Sequence, residues 1–287
     1  MARQSGQSLR IASLAAVLCV LCMSACGEAA TGTAVQPVGT EAGVGPDAGI
    51  QPGAPTLYLD QIAQQVEADG TNPMREGYRA RKAVCQASGA PTTLLSEEEE
   101  ARLGTERRQT WRDSRRFAYR HEAWVLDVPG QTTRDTMCAF ALRTIGQHTL
   151  IGPDHSVSVD LENGERLQGD GNPSVVLVRR ELDVDEEADA ARAAGLSGPT
   201  PRTVAGLPCD EWTTMFGSSV CVWSGGTRWG MTSVPASEVA VDNDPHHDML
   251  VLALAPPPGR SGMRLETVQA TLGGPLDEGR MIPRGLP

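Results

Sequence analysis

The densest group of side chains able to do chemistry in this chain is Asp242-Asn243-Asp244-Pro245-His246-His247-Asp248. Its carboxylates and amide could hold Ca²⁺ through oxygen, and its paired imidazoles could hold a transition metal. One reading is therefore a metal-binding protein or metal-dependent hydrolase built on Asp242, Asp244, His246, His247 and Asp248. Against it, the stretch lacks the glycine and the closing glutamate of a calcium loop, and Pro245 fixes the backbone between the two donor groups. Asp, Asn and Pro are also what a plain turn before a buried strand requires. The expectation is a turn with no tight metal site.

Other motifs fail on spacing. His121-Glu122 opens like a zinc-protease helix, but Val125 stands where the second histidine must fall. In a strand those two side chains point to opposite faces. Ser224-Gly225-Gly226 has Val222 where a nucleophile elbow needs glycine, so a glycine turn is expected. Lys82 is the single lysine and no serine stands three residues before it, so Schiff-base or Ser-Lys chemistry would rest on Lys82 alone. The chain has no phosphate-binding loop or dinucleotide fingerprint, and no cofactor is implied.

Trp212, Trp223 and Trp229 crowd one region of a chain that is 4% aromatic. Trp223 and Trp229 could form a stacking platform for a glycan or the cell wall. With so few aromatics available, the expectation is that they fill a core.

These residues need elements to hold them. Leu59, Ile62 and Val66 recur at helical spacing within 57–68, which predicts a helix ending at Gly70. Ser96 and Glu99 form a capping box for a second helix through about Arg108. Its acidic first turn suits the positive helix end. Seven arginines between Arg102 and Arg120 are expected to be a solvated face that neutralises those acids. From Phe117 the pattern alternates, and 117–126 with 136–142 reads as an antiparallel pair. Residues 156–161 run into an Asn163-Gly164 turn, 174–178 continue the sheet, and 220–223 with 228–232 reads as a hairpin. Residues 248–254 and 263–268 are the last strands.

The amino terminus carries an address. Arg3 and Arg10 precede an apolar run, Ile11 to Ala25, that is shorter than the ~20 residues of a membrane span. Ser24-Ala25-Cys26 resembles the bacterial lipobox, with Met23 where leucine is usual. The resemblance implies diacylation of Cys26 and a lipid-anchored envelope protein. The anchor would be in the outer membrane of a Gram-negative cell or on the outer face of a Gram-positive plasma membrane. Cys19 and Cys22 lie inside the segment that would be removed. Residues 27–56 contain almost no large apolar side chain and read as a tether.

Without residues 1–25 the chain keeps 23 basic and 36 acidic residues, a net charge of −13. The acidic surface argues against nucleic acid or anionic lipid headgroups as main partners, because both need a positive footprint. Cys85, Cys138, Cys209 and Cys221 are an even set in an exported chain and read as two disulfides, with three connectivities open. Pairing within each candidate unit favours Cys85–Cys138 and Cys209–Cys221. The segment Cys209-Asp210-Glu211-Trp212 … Val220-Cys221-Val222-Trp223 resembles part of some uncharacterised envelope lipoproteins, over residues 201–256. That resemblance implies an exported β-rich module and assigns no catalytic residue.

The expected fold is α+β and β-rich, with antiparallel sheets, short N-terminal helices and two disulfides. The expected order is a signal peptide (1–25), tether (26–56), N-terminal α+β unit (57–180), linker (181–201) and small C-terminal β-rich unit (202–287). The expected role is a lipid-anchored, non-catalytic binding or scaffolding protein of the envelope. Its partners would be the membrane, through the lipid, and another envelope protein or the cell wall.

Overall fold

The computed structural model describes residues 53–127, 138–180, 183–235 and 246–284. The chain divides into units Met1–Pro46 and Asp47–Pro287, and every described residue belongs to the second. Cys26, Asp242 and Asp244 lie outside the described residues.

Eleven strands form one antiparallel sheet: β1 (Leu57–Val66), β2 (Thr105–Arg112), β3 (Phe117–Asp127), β4 (Ala141–Ile151), β5 (His155–Asp160), β6 (Arg166–Asp170), β7 (Ser197–Val204), β8 (Leu207–Thr213), β9 (Ser219–Trp223), β10 (Val251–Ala255) and β11 (Gly262–Leu272). The order is β6-β5-β4-β3-β2-β1-β11-β10-β9-β8-β7. From β1 in the middle the chain winds outward to β6. It crosses through a 3-10 turn at Pro173–Val175 and helix α3 (Val184–Ala193) to the opposite edge, then winds back until β11 lies beside β1. Helices α1 (Pro73–Ser88) and α2 (Glu97–Arg102) fill the β1–β2 connection, and α4 (Glu278–Met281) follows β11. The stretch expected as a linker, 181–201, thus holds α3 and the first residues of β7.

Residues 57–66 are a strand, not the helix their spacing predicts. β1 is flanked by β2 and β11, and it buries Leu57, Leu59 and Ala63 together with Asp60 and Val66. A central strand covered on both faces loses the clean alternation that identifies strands, so a three-and-four spacing arises by coincidence. The real first helix, α1, buries only Tyr78 and Cys85 and so shows no apolar stripe. Its ends are legible all the same. Asn72 Oδ1 accepts from the amides of Met74 and Arg75, Pro73 opens the helix, and Gly89 closes it in the left-handed region.

The Ser96–Glu99 capping box is present, but α2 stops at Arg102 and β2 begins at Thr105. The arginines beyond it therefore lie on strands and their connection, alternating between faces. β3 pairs with β4 from Phe117↔Ile151 to Asp127↔Ala141, so the partner strand runs well past the expected 136–142. β5 and β6 flank the Asn163-Gly164 turn. Residues 174–178 are a 3-10 turn and extended chain instead of a strand. β9 pairs with β8 and β10, and a 3-10 turn at Ser224–Gly226 takes the place of a hairpin to 228–232.

The main core joins both halves of the sheet and the crossover. Leu57, Leu59 and Phe117 meet Leu207, Cys209, Cys221, Trp223, Leu250 and Leu252, with Val175 and Leu177 of the crossover among them. The two disulfides are Cys85–Cys138 and Cys209–Cys221. The first ties α1 to the residues entering β4; the second is a cross-strand link between β8 and β9.

Candidate functional site

Strand register on β1–β4 stacks side chains from four separate strands into rows on one face. Tyr58, Trp111, Ala118 and Leu150 form the first row. Asp60, Gln109, Arg120 and His148 form the second; Ile62, Arg107, Glu122 and Gly146 form the third. Trp124 and Thr144 pair in a fourth. The first row is apolar, and Met281 of α4 packs on it together with Leu276. The second and third rows carry the polar side chains, and residues of both line cavities between α2 and α4.

Two cavities lie along this trough and share Arg107 and Glu122. The one at the α2 end, about 760 Å³, is walled by Glu98, Ala101 and Arg102, with Trp124, Thr144 and Val268 beside them. The one at the α4 end, about 440 Å³, is walled by Gly279, Arg280, Ile282 and Arg284, with Arg120, Gln109 and His148 on its floor. Gly146 lines up with Glu122 and Arg107 for a steric reason. Its φ is +146°, and a Cβ there would sit 2.0 Å from the His121 carbonyl oxygen. The row therefore lacks a side chain at that position, which leaves room above the sheet.

The charges of the trough are uneven. Arg107 grips Asp60 with both arms, at 2.9 and 2.5 Å. Arg120 Nε donates to Glu122 at 2.9 Å, and Arg102 pairs with Glu98 and lies over the Trp124 ring. The three carboxylates are thus matched by three arginines. Arg280 and Arg284 form no ion pair among the described residues, so the α4 end carries a positive surplus on a chain of net charge −11.

His148 is 4% exposed, and its Nε2 has no hydrogen-bond partner among the described residues. The ring bonds the Met281 backbone, which falls to Nδ1 because Nε2 is unpartnered. Burial, reinforced by the Arg120 charge, pushes its pKa down to about 4. At neutral pH the ring is therefore uncharged. Nδ1–H donates to the Met281 carbonyl, and Nε2 carries a lone pair.

On the opposite face, His121 Nε2 lies 3.1 Å from Glu106 Oε2, and Arg108 donates to the same oxygen at 2.8 Å. Burial pushes the Glu106 carboxyl up, but its bonds to His121 and Arg108 outweigh that and hold it at about 2. His121 and Glu122 do point to opposite faces, as the strand reading requires.

The sequence-predicted metal residues are divided. His246 and Asp248 are exposed, whereas His247 is half-buried with its Nε2 2.5 Å from Ser174 Oγ. Burial lowers the His247 pKa, with Asp248 opposing. The Ser174–His247 pair looks hydrolytic, but the Ser174 hydroxyl also lies 2.6 Å from Asn172 Oδ1, an atom that can only accept. Its one proton goes there, and Ser174 accepts from His247 Nε2–H. The imidazole is then a donor to the serine and cannot serve as its base. The pair instead staples the crossover to the chain entering β10. Arg112 reinforces it by donating to the carbonyls of His247 and Val175.

Trp223 is 3% exposed in the main core, Trp229 packs against that core, and Trp212 is buried with its Nε1 bonded to the Ser233 carbonyl. Trp212 and Trp223 are buried, whereas Trp229 stays half-buried. Trp124 and Trp111 border the two cavities, and Trp124 was not singled out by sequence. Its signal is the alternation Arg120, Glu122, Trp124 along β3.

No protein-family model matches this chain, and no curated protein matches it.

Proposed function

We propose that this chain is a lipid-anchored cell-envelope protein that binds instead of catalysing, and that the trough across β1–β4 is its binding surface. The observation that carries the binding half is the cationic surplus of the trough on an acidic molecule. A positive cleft on such a surface concentrates field toward an anionic ligand. The anchoring half rests on the lipobox-like Ser24-Ala25-Cys26 after its short apolar run. A non-catalytic role is supported by the two clusters that look most like catalytic apparatus. Ser174–His247 and Glu106–His121 are both occupied by structural hydrogen bonds.

The anchor is tested by intact mass and fractionation. The mature protein should leave membranes only with detergent and carry diacylglycerol on Cys26, while Cys26→Ser should be unprocessed or released. An unmodified amino terminus sinks the anchor. The trough is tested by photocrosslinking in intact cells from Thr144, on its floor, against Val84, an exposed site on α1.

A further inference from the structure

The two edges of the eleven-stranded sheet are not alike. β7 carries Pro199 and Pro201, which remove two backbone donors and make that edge unfit for a further strand. β6 at the other edge, Arg166-Leu167-Gln168-Gly169-Asp170, has no proline, and all five residues are exposed. The Asp160 amide donates to the Glu165 carbonyl, and the β5–β6 register continues from that pair. Alternation in an antiparallel ladder then turns the backbone groups of Glu165, Leu167 and Gly169 toward β5 and those of Arg166, Gln168 and Asp170 outward. No described strand meets the outward set. Arg166 and Asp170 hold no ion pair among the described residues, and Leu167 is 61% exposed.

We propose that β6 is a self-association edge, through which two copies of this chain pair antiparallel about Gln168 and join their sheets across a two-fold axis. The strand is complementary to itself in that register. Arg166 of each copy stands opposite Asp170 of the other, Gln168 meets Gln168, and Leu167 meets Gly169. The outward backbone groups of both copies then face each other as hydrogen-bonded pairs. Arg166, Gln168 and Asp170 share one face, so an ion pair flanks the axis on either side. On the other face Gly169 has no side chain, and Leu167 of the opposing copy lies across it toward the diagonal Leu167. Sliding by two residues either way loses both ion pairs. Sliding by one sets the outward backbone groups against the set already bonded to β5. Charge and hydrogen bonding thus select a single register and a second copy as the occupant. The pairing needs nothing from the trough.

The test combines engineered cysteines with charge reversal in the full-length protein. Q168C sets two thiols across the axis at the ~5.5 Å Cα separation of a hydrogen-bonded pair, which suits a disulfide. Mild oxidation of intact cells should give a covalent dimer of Q168C. R166C and D170C should each stay monomeric alone and cross-link when co-expressed, because only that combination is adjacent. V84C, exposed on α1, should not dimerise. Without added cysteines, sedimentation equilibrium in density-matched detergent should show a reversible dimer. R166D alone sets carboxylates face to face on both sides of the axis and should weaken that dimer about tenfold, and R166D/D170R should restore it. Restoration by the double variant separates lost pairing from lost folding. The proposal is overturned if the wild-type protein stays monomeric, if Q168C forms no more dimer than V84C, or if Q168C links to a different polypeptide in place of a second copy. It is equally overturned if R166D self-associates like wild type or if R166D/D170R fails to recover.

Discussion

The Gln61 side-chain amide donates to the Val251 carbonyl at 2.9 Å, reaching from β1 past β11 to β10. It also donates to Thr267 Oγ1 at 2.9 Å, and that hydroxyl in turn donates to the Leu252 carbonyl at 2.6 Å. Register between β10 and β11 is confined to Ala253↔Glu266 and Leu254↔Leu265. Two side chains therefore supply donors that the ladder itself does not. Gln61→Ala should destabilise the fold by about 1–3 kcal/mol, because it strands a buried carbonyl. Urea unfolding checks this; Gln61→Glu should be no better, since it supplies an acceptor where a donor is needed.

Arg112 should be the costliest cation to remove. It is 2% exposed, lies 5.7 Å from the Phe117 ring centroid, and carries the carbonyls of Val175 and His247. Burial lowers its pKa to about 10, which still leaves it charged at neutral pH. Arg112→Lys cannot span both carbonyls with one ammonium group and should cost about 3 kcal/mol. Hydrogen exchange should quicken first at residues 173–177 and 247–250, the two segments it holds together. Ser174→Ala, which removes one staple bond, should cost about 1 kcal/mol.

Stability should fall in acid in two steps. His148 has a folded pKa of about 4 against 6.5 for the free side chain. Between those values the unfolded chain binds a proton that the native state refuses, so stability drops as pH falls through 6.5 toward 4. The loss approaches about 3 kcal/mol. His148→Gln should flatten that part of a urea-midpoint profile, leaving the slope of His247, which burial shifts the same way. Glu106 acts lower. Its folded pKa of about 2 against 4.5 means that its contribution is present above 4.5 and lost as pH falls toward 2. A profile of His148→Gln as steep as wild type between pH 6.5 and 4 contradicts the assignment of His148 as a buried neutral ring.

The disulfides should differ in worth. Cys85–Cys138 spans 53 residues and Cys209–Cys221 spans 12. Chain entropy puts the first at about 4 kcal/mol and the second near 3 kcal/mol. Replacing Cys85 and Cys138 together by alanine should lower the thermal midpoint more than replacing Cys209 and Cys221. The larger loop should also free α1, which otherwise buries only Tyr78 and Cys85.

What the sequence discloses here is whatever short stretches settle among themselves. Ser96 with Glu99, Asn163 with Gly164, and the strand run into Pro256 are local chemistry, and they read correctly. β1 misleads because its meaning depends on neighbours from residues 105–112 and 262–272. The trough was not legible at all. Asp60, Gln109, Arg120 and His148 meet only through the registers of four strands, and Arg280 and Arg284 arrive from the far end of the chain. The Asp242–Asp248 cluster drew attention for the opposite reason. Its residues are adjacent in sequence, yet His247 turns to Ser174 while His246 and Asp248 face solvent.

The most direct measurement is photocrosslinking from Thr144 and from Val84 in intact cells, with the protein carrying either the wild-type trough or R280Q/R284Q. A binding trough predicts a saturable adduct from Thr144, none from Val84, and loss of the Thr144 adduct when the two arginines are neutralised. Equal labelling from both positions, or a Thr144 adduct indifferent to Arg280 and Arg284, would contradict the account.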